Sequence, residues 1–424
     1  MQQLLSVKNF VVVKKAEIEI KKINIIIGPQ ANGKSLIAKL VYFFKTVSTH
    51  FLDGIRSDDT KRELDKRILS DFEERFPRYS WEGTSFSIRY VIEDIIITID
   101  GKRNAKGKTS LTVNYTQNLV KLYNSKKILY KKKLAEQTTI DKPVRRGAVL
   151  ERHVMQEHVS EPLKREYSFF FCDPVFIPAS RTFFANLQKN IFTFLASNLD
   201  IDPFLKEFGS LYENSKRLYK DHFFFRKNND LYKSILAIIE AIVAGDYEYF
   251  DEQDWIVSKG RRINLANASS GQQESLPMLV VLSVYPFLRN MSWGNGSMFF
   301  IEEPEAHLFP TSQSHIVSLL SKLYDSTSTQ FFMTSHSPYI LSAFNNLILA
   351  HDAITEGNLT LEAFEKINGP SSPIKFEDVA AYTINNGVSE SIADIEYRMI
   401  GGDMLDSVSE HFESVMNSIL SNKD

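Results

Sequence analysis

Gly28-Pro29-Gln30-Ala31-Asn32-Gly33-Lys34-Ser35 has the spacing G-x-x-x-x-G-K-[ST], and its surroundings decide how it is read. Ile23-Asn24-Ile25-Ile26-Ile27 comes before it and Leu36-Ile37-Ala38-Lys39-Leu40-Val41 after it, so the loop stands between a buried strand and the helix it opens. Without those flanks the match is a Gly-rich turn. With them it is a phosphate-binding loop, in which backbone N–H groups around Gly28, Asn32 and Gly33 and the helix N-terminus face an anion. Lys34 supplies a point charge, and Ser35 supplies a hydroxyl for Mg²⁺.

Working outward, Ser297-Met298-Phe299-Phe300-Ile301-Glu302-Glu303-Pro304-Glu305-Ala306-His307-Leu308 reads as an apolar strand ending in carboxylates. A strand inside a parallel sheet is apolar throughout, so acids at its tip emerge at the edge where such sheets bind ligands. Glu302 is then placed to hold Mg²⁺ and Glu303 to polarise a water; alone, the pair reads equally as the start of a solvated helix. Asn267-Ala268-Ser269-Ser270-Gly271-Gln272-Gln273-Glu274-Ser275 precedes an apolar helix candidate at residues 276–288. Thr329-Gln330-Phe331-Phe332-Met333-Thr334-Ser335-His336-Ser337-Pro338 is another strand with a polar end.

In this order the segments resemble the Walker A, signature, Walker B, D-loop and switch-histidine segments of ABC-type ATPase heads. The likeness is strongest to the stand-alone, OLD-like AAA-family branch related to SMC and RecF heads, in which I-E-E-P-E-A-H-L-x-P and T-S-H-S-P are characteristic. It runs from Gly28 to Pro338. It implies an α/β, ABC-type P-loop head with a small antiparallel β-subdomain, an α-helical lobe and no long coiled coil. It also implies ATP and Mg²⁺ as cofactors, and a homodimer or higher even-numbered assembly. Glu303 and His336 are the implied catalytic residues, and Ser35 and Glu302 the implied metal ligands. Ser269, Gly271 and Gln272 would reach the ATP of the facing subunit. The sequence departs from the pattern twice: the signature is Ala268-Ser269-Ser270-Gly271-Gln272, and Glu302 replaces the usual Walker B aspartate.

Composition narrows the class. Of 424 residues, 43% are hydrophobic and 24% charged, which fits a soluble globular chain long enough for one large domain or two to three ordinary ones. A net charge of −2 gives no global nucleic-acid signal. Cys172 is the single cysteine, which excludes a disulfide framework and a cysteine-based metal site and fits a cytoplasmic location. The first 22 residues alternate apolar and charged types, which predicts a strand pair and no signal peptide. No apolar stretch approaches the ~20 residues needed to span a bilayer.

Four parts are expected: an ATPase lobe over residues 1–180, an α-helical lobe over 181–260, the signature-to-histidine part over 261–350, and a C-terminal helical extension over 351–424. Strands are predicted at residues 4–13 and 16–20, a charged helix at 58–78, and a hairpin of 85–93 with 95–100. Residues 101–135 contain no Asp or Glu but hold Lys102, Arg103, Lys106, Lys108, Lys121, Lys126, Lys127, Lys131, Lys132 and Lys133. Such a block is either a solvated face or a surface for nucleic acid or an acidic protein, interleaved here with Tyr115, Tyr123 and Tyr130. Residues 169–181 read as a further buried strand. Arg181 at its end either approaches nucleotide or subunit interface, as an I-P-A-x-R segment in related ATPases suggests, or braces the core. Arg217 and His222 match a loose ribonuclease spacing that arises readily by chance. After His351 neither a TOPRIM nor an H-N-H pattern is visible. Compact heads of this branch resemble the ATPase subunits of anti-phage systems such as PARIS and Septu, so the expected role is a sensor that controls a separate nuclease or toxin, such as a TOPRIM or HNH protein. The alternative is a RecF/SMC-like repair ATPase that binds DNA directly.

Overall fold

The computed structural model describes residues 3–140, 147–187, 201–220, 230–290, 297–401, 413–416 and 418. Strands β1 to β16 are Gln3–Phe10, Val13–Glu19, Ile23–Ile27, Phe86–Ile92, Ile95–Arg103, Thr109–Tyr115, Pro174–Ile177, Asp246–Phe250, Gln253–Ser258, Arg261–Asn264, Met298–Glu302, Gln330–Ser335, Val379–Asn385, Val388–Ser391, Ala393–Asp394 and Met399–Ile400. Among the described residues one eleven-stranded sheet runs β6-β5-β4-β1-β2-β14-β13-β3-β12-β11-β7. Its β13-β3-β12-β11-β7 half is parallel, and β1, β2, β4, β5 and β6 pair antiparallel.

The uniformly apolar strands occupy the middle. β3 and β11 are buried at every position, as strands covered on both faces must be. Ile26 packs into the core on one face, while Ile23, Ile25 and Ile27 pack into the core on the other. Asn24, the one polar residue of β3, is satisfied locally: its amide donates to Lys21 O at 2.8 Å and to Phe331 O at 3.0 Å.

Helix α1, Lys34–Ser57, crosses one face of the sheet and meets α2, Lys61–Arg75, whose start is fixed by a Thr60–Glu63 capping box. A chain of charges ties both to helix Pro203–Lys220 of the helical lobe. His50 Nε2 lies 3.0 Å from Asp71, and Arg75 Nε donates to Asp71 at 2.9 Å. Arg75 also grips Glu207 at 2.6 Å, and Tyr42 donates to Glu207 at 2.8 Å. Burial pushes the Asp71 pKa up, but His50 and Arg75 outweigh it and hold the carboxyl below the ordinary 3.8. Asp71→Asn keeps the shape and removes the charge, so it should cost about 2 kcal/mol of stability at neutral pH. A depressed folded pKa contributes stability above the unfolded value of 3.8 and loses it as pH falls through the folded one. Urea unfolding should therefore separate parent and variant at pH 7 and bring them together in acid; an equal gap at both would refute the assignment.

The structure revises several sequence expectations. The expected antiparallel strands are present and are continuous with the parallel half, joined through β14 and β13 in one sheet. The N-terminal pair is offset from its predicted limits, turning at Val11-Val12. The segment 169–173 is a turn leading into a short β7. The helical lobe ends in a three-stranded meander, β8-β9-β10. The predicted helix and loop after residue 351 are corrected most strongly: helices Pro338–Thr355 and Leu361–Asn368 are present, but β13 then inserts into the central sheet beside β3. Ala380 and Ala381 favour helix locally, and the sheet position overrides that preference. The basic segment becomes the end of β5, β6 and much of helix α3, Gln117–Ile140. Lys127 and Lys131 pair with Asp58, and Lys132 and Lys133 with Glu136, whereas Lys102, Arg103, Lys106 and Lys108 are exposed around the β5–β6 turn. His222 lies outside the described residues. Among the described residues no helix exceeds 24 residues, and none is long and apolar enough to cross a membrane.

Candidate functional site

At the carboxyl end of β3 the chain leaves the sheet through backbone that few residues adopt. Gly28 has φ +145° and Gly33 φ +97°; a Cβ on Gly28 would lie 3.2 Å from Thr383 Oγ1, and one on Gly33 2.9 Å from Val13. Glycine is required by conformation and by space. Gly33 precedes α1 and provides no side-chain cap, so the first N–H groups of the helix stay available to an anion. Lys34 is buried, and its ammonium donates to Gly28 O and Pro29 O, both at 2.7 Å, folding back over the loop. Burial pulls its pKa down, and Glu303 and Glu305 partly restore it. Asn32 lies on the same loop, and Ser35 opens the helix beside Glu302.

Glu302 ends β11 and is buried. One carboxylate oxygen accepts from Ala179 N at 3.1 Å, and Oε1 has no hydrogen-bond partner among the described residues. Burial raises its pKa; Lys39, the Ala179 N–H and the Ser35 hydroxyl oppose this. A buried carboxylate with an orphaned oxygen beside a hydroxyl is a fit donor set for a hard cation such as Mg²⁺. Glu303 sits one residue on, at φ +46°, with its N–H held by Thr334 O at 2.9 Å. Its side chain is about one-third exposed and reaches His336 Nε2 at 3.2 Å.

His336 bridges the two halves of the site. Its Nδ1 lies 3.4 Å from the Lys34 ammonium, which can only donate. Nδ1 is therefore the acceptor, and the ring proton belongs on Nε2, facing Glu303. The His336 backbone N–H donates to Glu305 Oε1 at 2.7 Å, and Ser335 Oγ donates to the same oxygen at 2.8 Å. Glu305 is buried, burial raises its pKa, and its second oxygen has no partner among the described residues. The sequence reading gave Glu305 no role; its only signal was a third acid one residue beyond Pro304.

Arg181 braces the core. Fully buried, it donates to Pro178 O at 2.9 Å, Glu302 O at 2.7 Å, Glu303 O at 2.9 Å and Glu274 O at 2.9 Å, and lies 3.4 Å from the Glu274 carboxylate. Glu274 also accepts from the Arg181 and Thr182 backbone N–H groups. The pair joins helix Ser270–Asn290 to the backbone of Glu302 and Glu303.

Ser269 and Gln272 cap that helix reciprocally: Gln272 Oε1 accepts from Ser269 N at 3.1 Å, and Ser269 Oγ accepts from Gln272 N at 3.4 Å. Gln272 also donates to Val243 O at 2.6 Å, and a Cβ on Gly271 would meet His307 O at 2.8 Å. Ser269 is exposed, and its hydroxyl bonds to Gln272 within the cap. The fold thus gathers Gly28, Asn32, Gly33, Lys34, Ser35, Glu302, Glu303 and His336 at the carboxyl ends of β3, β11 and β12. Arg217 lines a separate pocket with Lys216 and Glu252.

Residues 1–168 and 177–341 match the AAA ATPase domain family. The chain belongs to that family. This ATPase has no match among curated proteins. Among solved structures it is similar to an SMC head bound to the C-winged helix domain of ScpA, at 12% identity and TM-score 0.40, covering 92% of this chain and 96% of that one. It is also similar to the SMC head domain from Thermotoga maritima, at 15% identity and TM-score 0.35, covering 92% and 98%. The recombination mediator RecF is similar at 13% identity and TM-score 0.32, covering 93% and 98%. For the ATPase, Lys34→Ala should abolish ATP binding in a calorimetric titration, because no other cation stands in the loop; undiminished affinity would overturn the placement of the phosphates.

Proposed function

We propose that this AAA-family ATPase hydrolyses Mg-ATP at a site shared between facing subunits of a homodimer or higher even-numbered assembly. The observation that carries the reading is the chain of contacts from Lys34 through His336 to Glu303, which links a phosphate-binding cation to a partly exposed carboxylate. Ser35 and Glu302 would hold Mg²⁺, which supplies charge neutralisation when bound. Glu303 orients the attacking water and accepts its proton; the Nε2–H of His336 holds that carboxylate in place. Lys34 counters charge on the γ-phosphate. Ser269, Gly271 and Gln272 complete the site of the facing subunit.

The shared site has a direct test. Ser269→Arg should spare ATP binding by the single chain and stop hydrolysis in the assembly. Mixed with Lys34→Ala, it should regain part of the activity, because one intact site then forms from two defective chains. Normal hydrolysis by Ser269→Arg alone sinks the shared-site reading.

We further read hydrolysis as timing the release of a separate nuclease or toxin in anti-phage defence, on the likeness to the compact heads of PARIS and Septu. The exposed cations Lys102, Arg103, Lys106 and Lys108 favour a second reading, a RecF/SMC-like ATPase that binds DNA directly. Copurification with a nuclease encoded next to it supports the first; DNA-stimulated, salt-sensitive hydrolysis that these four positions control supports the second.

A further inference from the structure

At the ends of the central strands opposite the phosphate loop lies a pocket of about 400 Å³, lined by Lys22, Lys45, Phe169, Cys172, Tyr324 and Lys375 among others. Lys22 immediately precedes β3, Gln330 on its wall begins β12, and Asp378 immediately precedes β13. The pocket is therefore separated from the nucleotide site by the length of the strands, about 3.3 Å per residue. Its volume is in the range of small-molecule sites.

The charges in it are unequal. Its two carboxylates are engaged: Asp378 accepts from Lys22 at 2.9 Å and from the Tyr324 hydroxyl, and Asp325 accepts from Ser372 at 3.1 Å. The Lys375 ammonium is exposed and has no partner among the described residues. Lys45 is buried in the wall, where its ammonium donates to Gln3 Oε1 and Phe169 O, both at 2.7 Å, and no carboxylate touches it. An ammonium has three donors; with two on these oxygens and the Tyr90 ring 5.9 Å away, the third has no oxygen acceptor among the described residues. Burial disfavours its charge, and an anion in the pocket would supply the missing acceptor. Three lysine ammoniums around one pocket supply point-charge contacts of the kind that bind phosphate.

We infer that this pocket binds a small phosphorylated molecule of about nucleotide size, its phosphate held by Lys22, Lys45 and Lys375 and its body against Phe169 and Tyr324. Cys172, the single cysteine, is a built-in reporter. The test uses the full chain carrying Lys34→Ala, which silences the phosphate loop. Alkylation of Cys172 by iodoacetamide is followed by intact mass, with uridine 5′-monophosphate, adenosine 5′-monophosphate and ribose 5-phosphate as probes and uridine and citrate as controls. At least one phosphorylated probe should slow alkylation, by about tenfold at ten times its Kd, and uridine should not. Lys375→Glu, a change at an exposed position, should weaken that probe's calorimetric affinity about tenfold or more. Failure of all three probes, equal protection by uridine, protection by citrate alone, or affinity unchanged in Lys375→Glu would each overturn the inference.

Discussion

Glu303→Gln binds ATP with parental affinity and loses hydrolysis by about 10²- to 10⁴-fold, the range expected when a positioned general base is removed. The amide keeps the size of the side chain and still accepts from His336 Nε2–H, so the contact at 3.2 Å survives while the capacity to take a proton does not. The loop that holds the phosphates is untouched, because Lys34 bonds to Gly28 O and Pro29 O and not to Glu303. The ATP-bound assembly should therefore accumulate. Single-turnover hydrolysis at the parental rate would move the base elsewhere, with Glu305 the next carboxylate to test. A loss of ATP affinity would show instead that Glu303 shapes the loop.

The second large effect is on stability. Glu274→Ala should cost about 3–5 kcal/mol, the usual result of stripping one member from a buried ion pair. Arg181 is fully buried and would keep its carbonyl partners but lose the Glu274 carboxylate at 3.4 Å. The backbone N–H groups of Arg181 and Thr182 would lose their acceptor as well. Glu274→Gln keeps one acceptor oxygen for the two N–H groups, which bond to different oxygens of the carboxylate, so it should lose less than Glu274→Ala while still losing the charge and one of the two bonds. Urea unfolding of the three proteins measures the difference; a cost under about 1 kcal/mol for Glu274→Ala would show that the carbonyls alone satisfy the guanidinium.

The parts of the site legible in the sequence are those whose chemistry is local. Gly28 to Ser35 must follow a buried strand and open a helix, and the neighbours on either side in the chain disclose both facts. Glu302 and Glu303 follow from the same logic at the end of an apolar run. Contacts between distant segments were not legible. Whether Arg181 faced nucleotide or core depended on Glu274, ninety-three residues away, and on carbonyls of β11. Glu305 has no role legible in the sequence because its partners, Ser335 at the end of β12 and the His336 N–H just beyond it, lie thirty and thirty-one residues away. β13 was hidden most completely: its Ala-Ala pair favours helix, and the partner that makes it a strand is β3, near the other terminus.

That placement of β13 has a consequence in time. During synthesis the phosphate loop leaves the ribosome well before the strand beside it, whose Thr383 and Ile384 crowd Gly28 and which follows it by more than three hundred residues. At about 5–20 residues per second the interval is tens of seconds. Until then β3 has an open edge on that side and the loop lacks one of its walls. A nascent chain that stops short of β13 carries every residue of the phosphate loop without the support that shapes it, so competence for ATP waits on the synthesis of β13.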